Sequence, residues 1–164
     1  MIGADLQEAA ARLLDDLRAH GIKLATAESC TGGLIAAALT EIAGSSDVVD
    51  RGFVTYSNAA KTDLLGVSAA MIAAHGAVSE EVASSMAAGA LARSDASVAV
   101  SVTGVAGPGG GSAGKPVGTV WFGLAVQGAP VWTERKVFPG YRSAIRGATV
   151  LHAFTLLRRA IGAE

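Results

Sequence analysis

The sequence predicts an α/β protein: a three-layer α/β/α sandwich with a mixed central β-sheet and a C-terminal helix. Three observations carry this reading. Short strand-like runs alternate with segments of helical periodicity, the pattern of a sheet covered by helices on both faces. The last two strand-like runs follow one another around Gly128-Ala129-Pro130, as in a hairpin, so the sheet is not purely parallel. Tyr141 to Ile161 then closes the chain as a helix.

The elements follow in order. Leu6, Ala10, Leu13, Leu14 and Leu17 recur at helical spacing, which predicts an amphipathic helix over residues 4–20 that stops at Gly21. Ile22 to Ala27 is a short apolar strand, and a helix is expected from Thr31 to Ala43. Gly44-Ser45-Ser46-Asp47 reads as a turn and Arg51 to Tyr56 as a second strand. Asn58 is placed to cap a short helix carrying Lys61, Leu64 and Leu65, and Ser68 to precede another that ends at His75-Gly76. Ser79-Glu80-Glu81 pairs a capping hydroxyl with two acids in the first turn, which starts a helix running to Arg93. Val98 to Thr103 is β-branched and reads as a central strand. A glycine-rich loop over 104–116 leads into the hairpin of Val117–Gln127 and Val131–Phe138. No composition break marks a linker and no repeat occurs, so residues 3–162 are expected to form a single domain.

At 164 residues the chain can bury roughly 70% of its unfolded surface. Aromatics are only 5%, so Ala, Val, Leu and Ile must build the core. Thirteen Lys plus Arg against fourteen Asp plus Glu leave a net charge of −1, without the basic excess that marks phosphate-backbone binders, so nucleic acid is not an expected partner. Cys30 is the only cysteine, which rules out an intramolecular disulfide and cysteine zinc clusters. The acidic N-terminal run lacks the basic start of a signal peptide, and no apolar stretch approaches the ~20 residues that span a bilayer. A cytoplasmic protein without a membrane segment is expected.

The run TAESCTGG, Thr26 to Gly33, lies where the first strand gives way to a helix. Such a corner presents the first N–H groups of the helix, with their partial positive charge. Ser29, Cys30 and Thr31 stand where a nucleophile or anion binder is useful, and Gly32 and Gly33 admit a ligand close to the backbone. Capping of the helix by Ser29 or Thr31 accounts for the same residues.

Gly109 to Lys115 fits the opening of a triphosphate-binding loop, G-x-x-x-x-G-K. That loop requires Ser or Thr next and then a helix, whereas Pro116 and a strand-like run follow, so nucleotide triphosphate hydrolysis is rejected. The upstream half, Thr103 to Pro108, ends a central strand, and ligands of open α/β sheets gather beyond such ends. An ordinary glycine loop is the competing reading. A serine nucleophile needs a proton acceptor. His20, His75 and His152 have no distinctive context, and solvation or packing suffices to explain each. Lys61, five residues beyond Tyr56 in YSNAAK, can act as a base if burial disfavours its charged form. Spacing alone does not bring it to Ser29.

TAESCTGG, GFVTYSNAAKTDLLGV, HGAVSEEVA and VTGVAGPGGG, in this order, closely resemble the CinA C-terminal domain family from about residue 5 to 160. The resemblance implies nicotinamide mononucleotide deamidase activity, in a stand-alone form without the separate N-terminal domain of the full-length family members. It implies Ser29 as nucleophile, with Tyr56 and Lys61 as its catalytic partners. It makes the Thr103–Pro108 loop a substrate wall, so Thr103, Gly104, Ala106 and Gly107 join Cys30, Thr31, Gly32 and Gly33 as expected substrate-binding residues. The family's G-D-R near the C-terminus is Gly140-Tyr141-Arg142 here. The acid is replaced, Arg142 remains as a candidate phosphate partner, and Arg146 one turn later is placed to share that role. Lys61 is expected to be the general base, with Tyr56 assisting proton transfer. N–H groups near Cys30–Gly33 or Gly104 are expected to hold the oxyanion, with no metal or organic cofactor. Cys30 is the rival nucleophile and a buried small side chain its alternative. A non-catalytic pyridine-nucleotide-binding or regulatory module is the alternative function. The apolar N-terminal helix and the hairpin are where a homodimer is expected to form.

Overall fold

A computed structural model describes residues 1–164. Its elements are α1 (Ala4–Ala19), β1 (Leu24–Glu28), α2 (Leu34–Thr40), β2 (Val49–Val54), α3 (Asn58–Leu65), α4 (Ala69–His75), α5 (Glu80–Ala92), β3 (Val98–Gly104), β4 (Thr119–Val126), β5 (Trp132–Val137) and α6 (Arg142–Ala160). One sheet of order β2-β1-β3-β4-β5 contains every strand. The first three are mutually parallel, and β4 and β5 add antiparallel, so the sheet is mixed as expected. No helix is long and apolar enough to cross a membrane.

Alternation along the strands separates large from small side chains, and this sorts the two helical layers. Leu24, Val98, Val100, Val102, Val120, Phe122 and Leu124 pack with α1, α2 and α6. Leu13, Leu14 and Leu17 of α1 are fully buried there. Each contributes about 1.5–3 kcal/mol by leaving water. The other face is lined by Ala25, Ala27, Ala99 and Ala125, under α3, α4 and α5. Small residues let α5 lie close to the sheet. The Ser101 hydroxyl donates to the Ala83 carbonyl of α5 at 2.6 Å, and a Cβ at Gly123 would run into that same oxygen.

Helix boundaries differ from the sequence expectation chiefly at α2, which starts at Leu34 rather than Thr31. Gly32 and Gly33 have φ of 60° and 101°, in the left-handed region, so the chain turns twice before the helix can propagate. Ser57 rather than Asn58 caps α3, its hydroxyl accepting from the Ala60 N–H. The second strand lies two residues earlier than expected and leaves Tyr56 beyond its end.

The register fixes which loops meet. Glu28, the last residue of β1, is opposite Val54 and Val102, so Ser29, Thr55 and Thr103 emerge at one edge of the sheet. Gly104 pairs with Val120 there, bringing the glycine-rich loop to the same edge.

Candidate active site

At this carboxyl edge Ser29 is pinned from both sides. Its N–H donates to Val102 O at 3.0 Å, and the Thr55 N–H donates to Glu28 O at 2.8 Å. The Gly32 N–H then closes a turn onto Ser29 O, and the Leu34 N–H closes a second onto Thr31 O. Within these turns the N–H groups of Cys30, Thr31 and Gly33 find no acceptor in the protein.

Lys61 lies one turn into α3 and reaches back under this corner. Its side chain is 1% exposed. Nζ donates to Ser29 Oγ at 2.9 Å and to Thr55 O at 2.9 Å. Neither partner is charged, and no carboxylate forms a salt bridge with it. Desolvation therefore dominates and lowers the Lys61 pKa below the ordinary lysine value of 10.5. The amine is pushed toward its neutral form, which is the form able to accept a proton from the serine hydroxyl.

A cleft of about 210 Å³ opens above Ser29. Ser29, Cys30, Tyr56, Lys61, Thr103, Gly104, Ala106 and Arg142 all line it, so eight of the residues expected from sequence meet in one place. Arg142 at the start of α6 ties its rim together. One guanidinium nitrogen donates to Gly107 O at 2.9 Å and the other to the Tyr56 hydroxyl at 3.1 Å. Tyr56 itself is 62% exposed, at the mouth rather than in the core. The Thr103 hydroxyl donates to Ala77 O at 2.8 Å and holds the Ala77–Val78 segment as the facing wall.

Thr31, Gly32, Gly33, Gly107 and Arg146 are not among the residues that line the cleft. Arg146 donates to Thr31 O at 2.7 Å, bracing the turn from α6, while its Nε is buried without a partner. The thiol of Cys30 packs beside Gly104, where an added Cβ would sit 3.2 Å from sulfur. Burial pushes that thiol up to about 12, so it stays protonated and is a poor nucleophile at neutral pH. No group of three or more His, Cys, Asp or Glu side chains converges to hold a metal.

Four residues of this site were not expected from sequence reasoning. Asn58, Ala77 and Val78 line the cleft, the last two within the run HGAVSEEVA. Glu28 lies beneath it, fully buried at the end of a strand otherwise made of Leu, Ala and Thr. An acid in such a strand is the signal that marks it. Its carboxylate accepts from the Thr31 hydroxyl at 2.6 Å and from the Ile35 and Ala36 N–H groups at 2.8 and 3.0 Å. These α2 donors are thus consumed inside the protein and not presented to a ligand, contrary to the simple picture of a strand-to-helix corner.

Comparison with known proteins identifies the family and the fold. A family model, the CinA C-terminal domain, matches residues 6–161. Nicotinamide-nucleotide amidohydrolase PncC of Enterobacter agglomerans is 58% identical over 146 residues, 88% of this chain and 89% of that protein. The protein of the same name from Escherichia coli (strain K12) is 47% identical, covering 96% of this chain and 95% of its own. A CinA-like protein of Mycolicibacterium gilvum is 58% identical, but the chain spans only 33% of its length. The crystal structure of a competence/damage inducible protein from Agrobacterium tumefaciens superposes with a TM-score of 0.94 at 51% identity, over 99% of this chain and 98% of that one. With sequence and fold in agreement, the chain belongs to the CinA C-terminal domain family.

Proposed function

We propose that the chain is an amidohydrolase that converts nicotinamide mononucleotide to nicotinate mononucleotide and ammonia through an acyl-enzyme on Ser29. The carrying observation is the buried Lys61 amine, 2.9 Å from Ser29 Oγ and without a carboxylate partner. The names of the two similar amidohydrolases supply the substrate.

Neutral Lys61 takes the serine proton as Oγ attacks the carboxamide carbon. The carbonyl oxygen gains charge, and the unpaired N–H groups of Cys30 and Thr31 are the donors that stabilise it. The ammonium of Lys61, now protonated, returns the proton to the departing nitrogen. Water, deprotonated by the same amine, attacks the ester carbonyl, the bond from the acyl carbon to Oγ breaks, and Lys61 returns the proton to Ser29 Oγ. Tyr56 and Arg142 border the mouth, where they assist proton transfer and meet the nucleotide's phosphate. Arg146 braces the nucleophile turn.

Purified protein incubated with nicotinamide mononucleotide is expected to release ammonia and nicotinate mononucleotide together. Ser29→Ala is expected to lower kcat by at least about 10⁴-fold. Full activity in that variant would sink the mechanism. Tight nucleotide binding without ammonia release, in the unmodified protein, would establish instead a pyridine-nucleotide-binding module. A homodimer across the β5 edge is proposed on the exposed Trp132 and Val137 there, and is tested by a solution mass of twice 16.3 kDa.

A further inference from the structure

We propose that Glu28 is a positioning residue for this reaction: through Thr31 it holds the Cys30–Thr31 backbone in the orientation that leaves its N–H groups open to the oxyanion. This assignment rests on the amidohydrolase reading of Ser29. The strand β1 is otherwise apolar or hydroxylic, and its last residue is an acid with 0% exposure. A buried carboxylate is retained only when its oxygens are well paired. Glu28 has no Lys or Arg partner. It is satisfied by three donors that all belong to the segment following the nucleophile, the Thr31 hydroxyl and the Ile35 and Ala36 N–H groups.

The geometry ties two things together. Glu28 immediately precedes Ser29, and its carboxylate grips Thr31, two residues after Ser29, and the first turn of α2. The loop between is two linked turns with left-handed glycines at 32 and 33, a conformation with little stiffness of its own. The Gly32 N–H on Ser29 O closes the first turn, and Arg146 on Thr31 O braces it from outside. Of the buried side chains, Glu28 is the one that holds its Thr31 end from within, as Lys61 holds Ser29. With the helix donors absorbed, the stabilising N–H groups left at Ser29 are those of the turn itself. Their alignment then depends on the Thr31 hydroxyl.

Thr31→Val removes that hydroxyl at nearly constant volume, and Thr31→Ser keeps it. Glu28→Gln replaces one acceptor oxygen with a donor that confronts an N–H or the hydroxyl. Steady-state hydrolysis of nicotinamide mononucleotide is measured for all three. Thr31→Val and Glu28→Gln are expected to lower kcat by about 10²-fold, the effect of losing an oxyanion donor. KM is expected to stay within about threefold, because the interaction is made in the transition state. Thr31→Ser is expected to restore kcat to near the wild-type value. If kcat is retained in both Thr31→Val and Glu28→Gln, or KM rises with kcat unchanged, the assignment is overturned. Should Glu28→Gln fail to fold, the Val and Ser pair at Thr31 decides alone.

Labelling of Ser29 by a fluorophosphonate separates this assignment from the substrate reading. There Oγ bonds to phosphorus, the P–F bond breaks, fluoride leaves, and Lys61 takes the serine proton. The rate is expected to follow the same order, wild type and Thr31→Ser above Thr31→Val and Glu28→Gln. Wild-type protein that labels but does not turn over nicotinamide mononucleotide would defeat the substrate reading, and the labelling order would still decide on Glu28. Neither turnover nor labelling would overturn both.

Discussion

The two ends of the sheet hold cavities of opposite character. At the amino end of β3, a groove of about 380 Å³ is walled by Leu124, Val126, Pro130, Trp132 and Leu156, with Arg159 as its one charged side chain. At the carboxyl end the cleft over Ser29 is little more than half that size, yet it gathers a hydroxyl, a thiol, a phenol, an amine and a guanidinium. Volume and chemistry therefore part company. The larger cavity is what remains where a hairpin and a helix end meet without filling the space between them. The smaller one is made by polar groups that the fold buries and pairs incompletely, and such groups are where pKa values move and reactivity is stored. Along β3 itself this difference is only a few residues long: Val98 is opposite Val126 at one end and Gly104 opposite Val120 at the other.

The largest expected break of this contrast comes from Lys61→Met, which keeps the bulk of the side chain and deletes the amine. The kcat for amide hydrolysis is expected to fall by about 10²–10⁴-fold, the range for a general base. Thermal unfolding is expected at or above the wild-type temperature, since a desolvated amine without an ion pair is replaced by an apolar group. The pH dependence follows from the lowered pKa. In the wild type kcat/KM is expected to rise with pH as the amine loses its proton, with its midpoint below 10.5. The unfolded chain binds that proton more tightly than the native one, so stability also rises with pH between the lowered native value and 10.5. Both rises are expected to be missing from Lys61→Met. A variant within tenfold of wild-type kcat would remove Lys61 from the chemistry and leave the carboxyl end without a base.

Gly104→Ala sharpens the same contrast through packing alone. A Cβ there would lie 2.8 Å from the Thr119 carbonyl oxygen and from Val120 Cγ2, and 3.2 Å from Cys30 Sγ. The strand end is too crowded to yield, so a loss of about 1–3 kcal/mol in unfolding free energy is expected. Because the crowding acts on Cys30, next to Ser29, kcat/KM is expected to fall beyond the fraction of unfolded protein. Chemical denaturation and initial rates on the same sample measure the two. Unaltered stability would mean that the thiol and the strand end are looser than their spacing indicates.

How far this site was legible in the sequence follows from the range of the forces involved. The strands and helices were read from apolar periodicity, which is local, and the mixed sheet followed from the hairpin around Gly128. The early start assigned to α2 shows the limit of local rules. Ser-Cys-Thr-Gly-Gly has the composition of a capped helix start, but the chain turns at Gly32 and Gly33 with positive φ before the helix begins, and one contact that braces this turn, Arg146 on Thr31 O, spans 115 positions. Lys61 illustrates the same point. Nothing within YSNAAK distinguishes a solvated lysine from a desolvated one. The distinction comes from parallel pairing of β1 and β2, which carries Thr55 and α3 to Ser29 across 32 positions. Tyr56 went the other way, to the surface, because β2 is an edge strand that ends two residues before it. Motif resemblance brought Ser29, Tyr56 and Lys61 together on paper. It did not single out Glu28, whose signal was one acid in an apolar strand.

The smallest expected effect, and the one on which the contrast between the two ends finally depends, is that of Trp132→Ser. Trp132 is 60% exposed and borders the apolar groove, at the residue that pairs with Leu124. Leu124 is in turn opposite Val100, well below the Gly104 end of β3 where the cleft begins. A serine there leaves no buried polar group, so folding free energy is expected to change by no more than about 0.5 kcal/mol. The kcat/KM is expected to stay within about twofold of wild type, since no contact with the reacting groups is altered. If the proposed homodimer uses this edge, the solution mass falls to that of one chain while the activity per chain is unchanged. A tenfold loss of kcat/KM would show instead that the apolar end is coupled to the reaction. The sheet would then have to be regarded as one catalytic body rather than a scaffold with chemistry at a single edge.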